Sequence, residues 1–192
     1  MTTAAKKVVV GLGNPGPEYD ATRHNVGWWV LDRFAYDHDF EAFHRDGKAW
    51  VSDGVVGGVA FRLMKPRTFM NRSGQALTKL WELSGFEASD DLLVVSDDAN
   101  LDIGRVRFRP SGGAGGHNGL KSITQALGTD QYARLRIGVG LCPAGVDLAD
   151  WVLEPVPGEE EEQLVSLLPE LSRAILVWAE EGPEHAMNSA NR

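Results

Sequence analysis

The hydrophobic positions of the chain fall into two kinds of pattern that alternate along its length. Lys7-Val8-Val9-Val10 is a short apolar run that reads as a buried first strand, and Val26, Trp29, Val30 and Phe34 then recur at helical spacing. Ala49–Val56 and Val59–Lys65 are β-prone runs separated by Gly57-Gly58, a hairpin pattern. Ala76, Leu77, Leu80 and Trp81 predict a second helix, with Gly85 as its C-cap. Leu92–Val95 is a continuous apolar run, the pattern of a central strand buried on both faces. In Gly104–Arg109, basic and apolar residues alternate, which on a strand sets Arg105, Arg107 and Arg109 on one face. Leu120, Ile123 and Leu127 mark a helix, and Arg134–Gly140 reads as a strand with outward-facing basic residues. Asp147–Leu153 predicts a short helix. Leu164 to Trp178 predict a long amphipathic one bent at Pro169, and Ala186–Arg192 a loose polar tail.

Composition narrows the class. At 192 residues and 43% apolar, the chain can bury the core of one domain. No apolar run reaches the length of a membrane span, and the N-terminal MTTAAKK lacks the apolar centre of a signal peptide, so a cytoplasmic protein is expected. A single cysteine, Cys142, excludes an internal disulfide and a cysteine-based metal site. The net charge of −8 argues against a nucleic-acid partner only until it is mapped: Trp151–Arg192 carries −7, which leaves −1 for the first 150 residues.

The candidate chemistry clusters at junctions. Gly11–Gly27 follows the first strand with glycines and prolines and delivers Arg23-His24-Asn25 to the front of a helix, with Thr22 as the expected N-cap. Gly11, Gly13 and Gly16 fit the spacing of a dinucleotide fingerprint, but Pro15 and Pro17 flank the third glycine and Glu18-Tyr19-Asp20 delays the helix. A nicotinamide-dependent oxidoreductase therefore rests on one imperfect motif. A histidine at that junction suits a general base. Asn71 lies at a second strand-to-helix junction, and Ser96–Asp102 follows the central strand with several acids. Asp98, Asn100 and Asp102 begin like a calcium loop, yet Ile103 and Arg109 stand where it needs glycine and glutamate. Asp97, nearest the strand, is better placed to orient a histidine. Ser111–Ser122 is a glycine loop leading into a helix, but Leu120 separates Gly119 from Lys121 and breaks a Walker motif. With the neighbouring arginines and Lys121 it suits a phosphate backbone instead.

Taken in order, these stretches resemble bacterial-type peptidyl-tRNA hydrolase. The resemblance is carried by Gly11-Leu12-Gly13-Asn14-Pro15-Gly16, by Tyr19–Gly27, by Thr68-Phe69-Met70-Asn71-Arg72-Ser73-Gly74, by Asp97, by Gly113–Lys121 and by Arg134–Gly140. It implies a single three-layer α/β/α domain with a mixed twisted sheet, a monomer that needs no metal or other cofactor, and hydrolysis of the ester between a peptide and the 3′-terminal ribose of tRNA. It further implies that His24 activates water and that Asp97 orients its ring. Asn14, Asn71 and Asn118 would hold the peptide and the terminal adenosine, with Met70 and Tyr19 lining the cleft. Arg109 and Arg136 would meet tRNA phosphates, and 141–155 would form a mobile lid. Two departures stand out: Ala99-Asn100 replaces a common leucine-aspartate pair, and Arg109 stands where lysine is common. No G-x-S-x-G elbow occurs and Cys142 has no partner motif, which favours attack by water over a covalent nucleophile. The competing expectation from a different class is an RNA-binding relative without catalysis.

Overall fold

The computed structural model describes residues 7–191. Seven strands, β1 (Lys7–Gly11), β2 (His44–Asp46), β3 (Ala49–Val56), β4 (Val59–Pro66), β5 (Leu92–Asp98), β6 (Val106–Arg109) and β7 (Ala133–Gly138), form one sheet in the order β2-β3-β4-β1-β5-β7-β6. The four inner strands β4, β1, β5 and β7 run parallel, and the antiparallel β3–β4 and β6–β7 pairs extend the sheet on either side. That makes a mixed sheet. The β3–β4 hairpin turns at Gly57-Gly58, both at positive φ.

Among the described residues the α-helices are α1 (Val26–Asp37), α2 (Ala88–Asp91), α3 (Asn118–Leu127), α4 (Leu148–Val152), α5 (Gly158–Glu181) and α6 (Pro183–Ala190). The pleat explains the layers. Val9, Leu93 and Val95 point to one face, where they pack with Val30 and Phe34 of α1 and Leu171 and Trp178 of α5. Val8, Val10, Leu92 and Val94 point to the other, against Leu77, Leu80 and α3 residues Leu120 and Ile123. Helices thus cover both faces, and the fold is a three-layer α/β/α sandwich. Pro169 sits inside α5, which continues without a break. No helix among the described residues is long and apolar enough to cross a membrane.

Three expectations change. The helix expected around Ala76–Trp81 is instead a pair of 3₁₀ segments, Met70–Leu77 and Leu80–Glu82. Its backbone is claimed by a neighbour: the Gly74 N–H donates to Ser122 Oγ of α3, at a spot where a Cβ would lie 2.3 Å from the Ser122 carbonyl oxygen. The tail expected to be loose over Ala186–Arg192 is helical as far as Ala190 in α6, with Ala186 and Ala190 buried, and Arg192 lies outside the described residues. Beyond it the Asn191 side chain accepts from the Phe108 N–H and donates to the Phe108 carbonyl of edge strand β6. Thr22 does not cap α1. It precedes the 3₁₀ turn Arg23–Asn25, and its hydroxyl donates to the Tyr19 carbonyl.

Candidate active site

The loops that leave the C-terminal ends of β1, β4, β5 and β7 enclose a cleft of about 510 Å³. This is where open parallel sheets build their sites, because the chain turns away on both sides of the strand ends. Asn14, Tyr19 and His24 come from the segment after β1, and Met70 and Asn71 from the segment after β4. Asp97 and Asp98 close β5, His117 and Asn118 open α3, Arg136 comes from β7, and Leu148, Ala149 and Val152 of α4 form the far wall.

His24 sits in the 3₁₀ turn Arg23–Asn25, immediately before α1. The turn is pressed onto the sheet because residue 27 is glycine: a Cβ there would lie 2.6 Å from the Val95 carbonyl oxygen and 2.7 Å from Leu12 backbone atoms. That close approach brings His24 Nδ1 within 2.9 Å of both carboxylate oxygens of Asp97. An ionised carboxylate only accepts, so Nδ1 carries the proton and Nε2 keeps a lone pair.

A second imidazole meets the same carboxylate. His117 Nε2 lies 2.8 Å from Asp97 Oδ1, while His117 Nδ1 accepts the N–H groups of Gly119 and Leu120 at 3.1 and 3.3 Å as the N-cap of α3. Two donors on Nδ1 leave the ring proton on Nε2, which donates to Asp97. The three ligating groups lie within 4.8 Å of one another, a spacing that also suits a metal ion. The tautomer decides against that, since His117 Nε2 has no lone pair to give and the set is satisfied by its own hydrogen bonds. Burial would push the Asp97 carboxyl up, but the two imidazoles hold it well below the usual carboxylate range.

The asparagines divide by burial. Asn14 is buried; Asn25 Oδ1 accepts its N–H at 2.9 Å and Asn25 Nδ2 donates to its carbonyl at 3.0 Å. Its own Oδ1 accepts the Met70 N–H at 2.8 Å, which fixes the amide with Nδ2 left over for the cleft. Asn71 and Asn118 are exposed on the cleft rim.

The family model for peptidyl-tRNA hydrolase matches residues 8–192. The chain belongs to the peptidyl-tRNA hydrolase family. The peptidyl-tRNA hydrolase of Gemmatimonas aurantiaca is 42% identical over 189 residues, covering 97% of this chain and all of the relative. That of Lachnoclostridium phytofermentans is 40% identical, covering 96% of each. The crystal structure of peptidyl-tRNA hydrolase from Acinetobacter baumannii superposes with a TM-score of 0.88 at 30% identity, covering 100% of this chain and 97% of that one. The three-layer fold seen here is thus the peptidyl-tRNA hydrolase fold.

Of the residues expected from the sequence, the structure brings His24, Asp97, Asn14, Tyr19, Met70, Asn71, Asn118 and Arg136 to the one cleft. Arg109 is exposed at the end of β6, outside the cleft lining, with Nη1 donating to the Phe108 carbonyl. Arg136 is half-buried and pairs with Asp98 Oδ2 at 2.6 Å. Arg134 corrects the expectation of an outward basic residue. It is 1% exposed, lies over the Tyr132 ring, and donates to the carbonyls of Gly113 and Asp130. Arg105 likewise falls just outside β6. Sequence reasoning gave His117 no role, although a histidine between a glycine loop and an apolar helical stripe occupies an N-cap position. Phe69, to which the sequence pattern assigns no role, also lines the cleft, 58% exposed and edge-on to Tyr19 at 6.4 Å.

Proposed function

We propose that His24 is the general base with which this member of the peptidyl-tRNA hydrolase family cleaves the ester between a peptide and the 3′-terminal ribose of tRNA. One observation carries the reading: Nδ1 of His24 is held by both oxygens of Asp97, so Nε2 is left with its lone pair at a cleft. Nε2 takes a proton from water as the oxygen attacks the ester carbonyl carbon. Asp97 stabilises the resulting imidazolium, and the tetrahedral intermediate collapses with cleavage of the bond to the ribose 3′-oxygen. That oxygen takes the proton back from Nε2, releasing tRNA and the peptide's carboxylic acid, which gives its remaining proton to solvent. A positioned base of this kind contributes ~10²–10⁴-fold.

The negative charge on the intermediate needs donors fixed in advance. Asn14 Nδ2 is the best fixed, because Met70 N–H and Asn25 lock the rest of the residue. Removing one such donor typically costs about 3–4 kcal/mol of barrier. Asn71 and Asn118 hold the peptide backbone and the terminal adenosine, with Met70 and Tyr19 as apolar walls. Arg136 spends one side of its fork on Asp98 and meets the tRNA backbone with the other, and Arg109 adds a second phosphate contact farther out. In this reading the protein acts as a cytoplasmic monomer without a metal, and 141–155 is a lid.

The test is release of tRNA from an N-acetylated aminoacyl-tRNA, run beside the unblocked aminoacyl-tRNA and the His24→Ala variant. Cleavage of the blocked substrate alone, lost in the variant, is the expected result. No cleavage by the wild-type chain, with tRNA still bound, would replace the hydrolase by an RNA-binding relative.

A further inference from the structure

The residue before His24 has a part in neither the base nor the donors, yet it is among the most heavily bonded side chains of the fold. Arg23 is 1% exposed. Its guanidinium carbon lies over the Trp151 ring of α4, 3.7 Å from the centroid. Nε donates to the Val139 carbonyl at 3.2 Å, Nη1 to the Pro155 carbonyl at 3.4 Å, and Nη2 to Glu160 Oε2 at 3.0 Å. Glu154 adds a carboxylate at 3.7 Å. The backbone repeats the connection, with Arg23 N–H donating to the Glu154 carbonyl, Val156 N–H to the Ala21 carbonyl, and a bridge between Thr22 and Pro155.

These partners are not scattered. Val139 lies just before segment 141–155, Pro155 ends it, and Trp151 stands inside it, its own Nε1 donating to the Gly140 carbonyl at 3.2 Å. A residue just ahead of the segment that walls the cleft, the segment's last residue and Trp151 within it therefore meet one side chain, and that side chain opens the turn carrying His24. A guanidinium suits the task because it is flat enough to stack and presents donors in a rigid fork; an ammonium does neither.

We propose that Arg23 is a positioning residue for the hydrolysis: one buried guanidinium sets the far wall of the cleft and the aim of His24 together. The inference rests on His24 as the base. A displaced α4 wall then reaches the chemistry through the Trp151–Arg23 stack, without either residue touching the substrate. A misplacement of the reacting groups by about 1 Å costs on the order of 10²-fold in rate.

The experiment compares Trp151→Leu, Trp151→Phe and Arg23→Lys with wild type on the N-acetylated aminoacyl-tRNA. Saturation kinetics are measured across pH and a thermal melt is recorded for each. Trp151→Leu is expected to lower kcat at least ~10-fold with KM within about 3-fold, and to move the acid-side midpoint of kcat/KM. Trp151→Phe, which keeps a ring face under the guanidinium, restores most of kcat, and Arg23→Lys behaves like Trp151→Leu. A folded Trp151→Leu variant with wild-type kcat and pH profile overturns the inference, whatever its melting temperature. A raised KM with unchanged kcat overturns it too, since the wall would then only bind. If the wild-type chain fails to cleave the substrate, the hydrolase reading falls first and the inference with it.

Discussion

Replacing Asp97 by asparagine removes one acceptor from a place where two donors converge. The carboxylate receives His117 Nε2–H on Oδ1 at 2.8 Å and His24 Nδ1–H at 2.9 Å from both oxygens. His117 cannot switch tautomer without losing the Gly119 and Leu120 N–H groups that its Nδ1 accepts. The single amide oxygen therefore stays with His117, and the amide NH₂ faces His24. His24 responds by accepting from that NH₂ at Nδ1 and moving its proton to Nε2, where the proposed base needs a lone pair. Holding a catalytic histidine in the wrong tautomer costs ~10⁴-fold in kcat, or about 5.5 kcal/mol. The assay is single-turnover release of tRNA from a blocked aminoacyl-tRNA, with tRNA affinity measured alongside and expected to be unchanged because Asp97 is 2% exposed. Stability supplies a second readout. The Asp97 carboxyl is held below its ordinary range in the fold, so its contribution is fully present above the unfolded value of about 3.9 and is lost as pH falls below it. The gap in unfolding free energy between wild type and Asp97→Asn should therefore narrow in urea melts as pH falls from about 4 downward. A variant that keeps kcat within about 10-fold of wild type would refute the tautomer argument.

Three further outcomes are expected. His24→Ala abolishes turnover while tRNA binding, read by filter retention or fluorescence, stays near wild type; loss of both together would remove His24 as the base. Arg109→Ala weakens tRNA binding most at low salt and reduces the slope of log affinity against log salt by about 1, and an unchanged slope would take Arg109 off the phosphate surface. Gly27→Ala puts a Cβ 2.6 Å from the Val95 carbonyl oxygen, so overpacking of about 1–3 kcal/mol should lower the melting temperature by roughly 2–12 °C. Calorimetry decides it, and an unshifted melt would mean that α1 does not need its close seat on the sheet.

Much of the fold was legible because its inner strands are buried on both faces, so runs such as Leu92–Val95 stand out without any alternation. The helices α1, α3 and α5 each bury one stripe and read equally well. The sequence misled where a local pattern was overruled by a distant neighbour. Ala76 to Trp81 have helical spacing, but the Gly74 N–H is spent on Ser122, 48 residues away. Arg134 and Arg136 share a face of β7, yet only Arg134 is covered, by Tyr132 and the carbonyl of Gly113. The cleft residues came mostly from the family resemblance. Periodicity could not supply them, since Asn14, Asp97 and Asn118 meet only when the ends of β1 and β5 and the start of α3 come together. His117 escaped notice for a related reason. Its value lies in serving near and distant partners at once, N–H groups two and three residues on and a carboxylate twenty residues back.

The amide of Asn191 does for β6 what another strand would do. By accepting from the Phe108 N–H and donating to the Phe108 carbonyl, it occupies the two backbone groups that an invading strand would need. The β6 edge is thereby blocked at Phe108 against self-recruitment by a side chain 83 residues downstream. During synthesis β6 is made long before its cover. Until Asn191 emerges, the growing chain carries an unpaired margin rimmed by Arg107 and Arg109, whose like charges repel a second copy of the same strand. The arginines guard that margin early, and the asparagine seals it late.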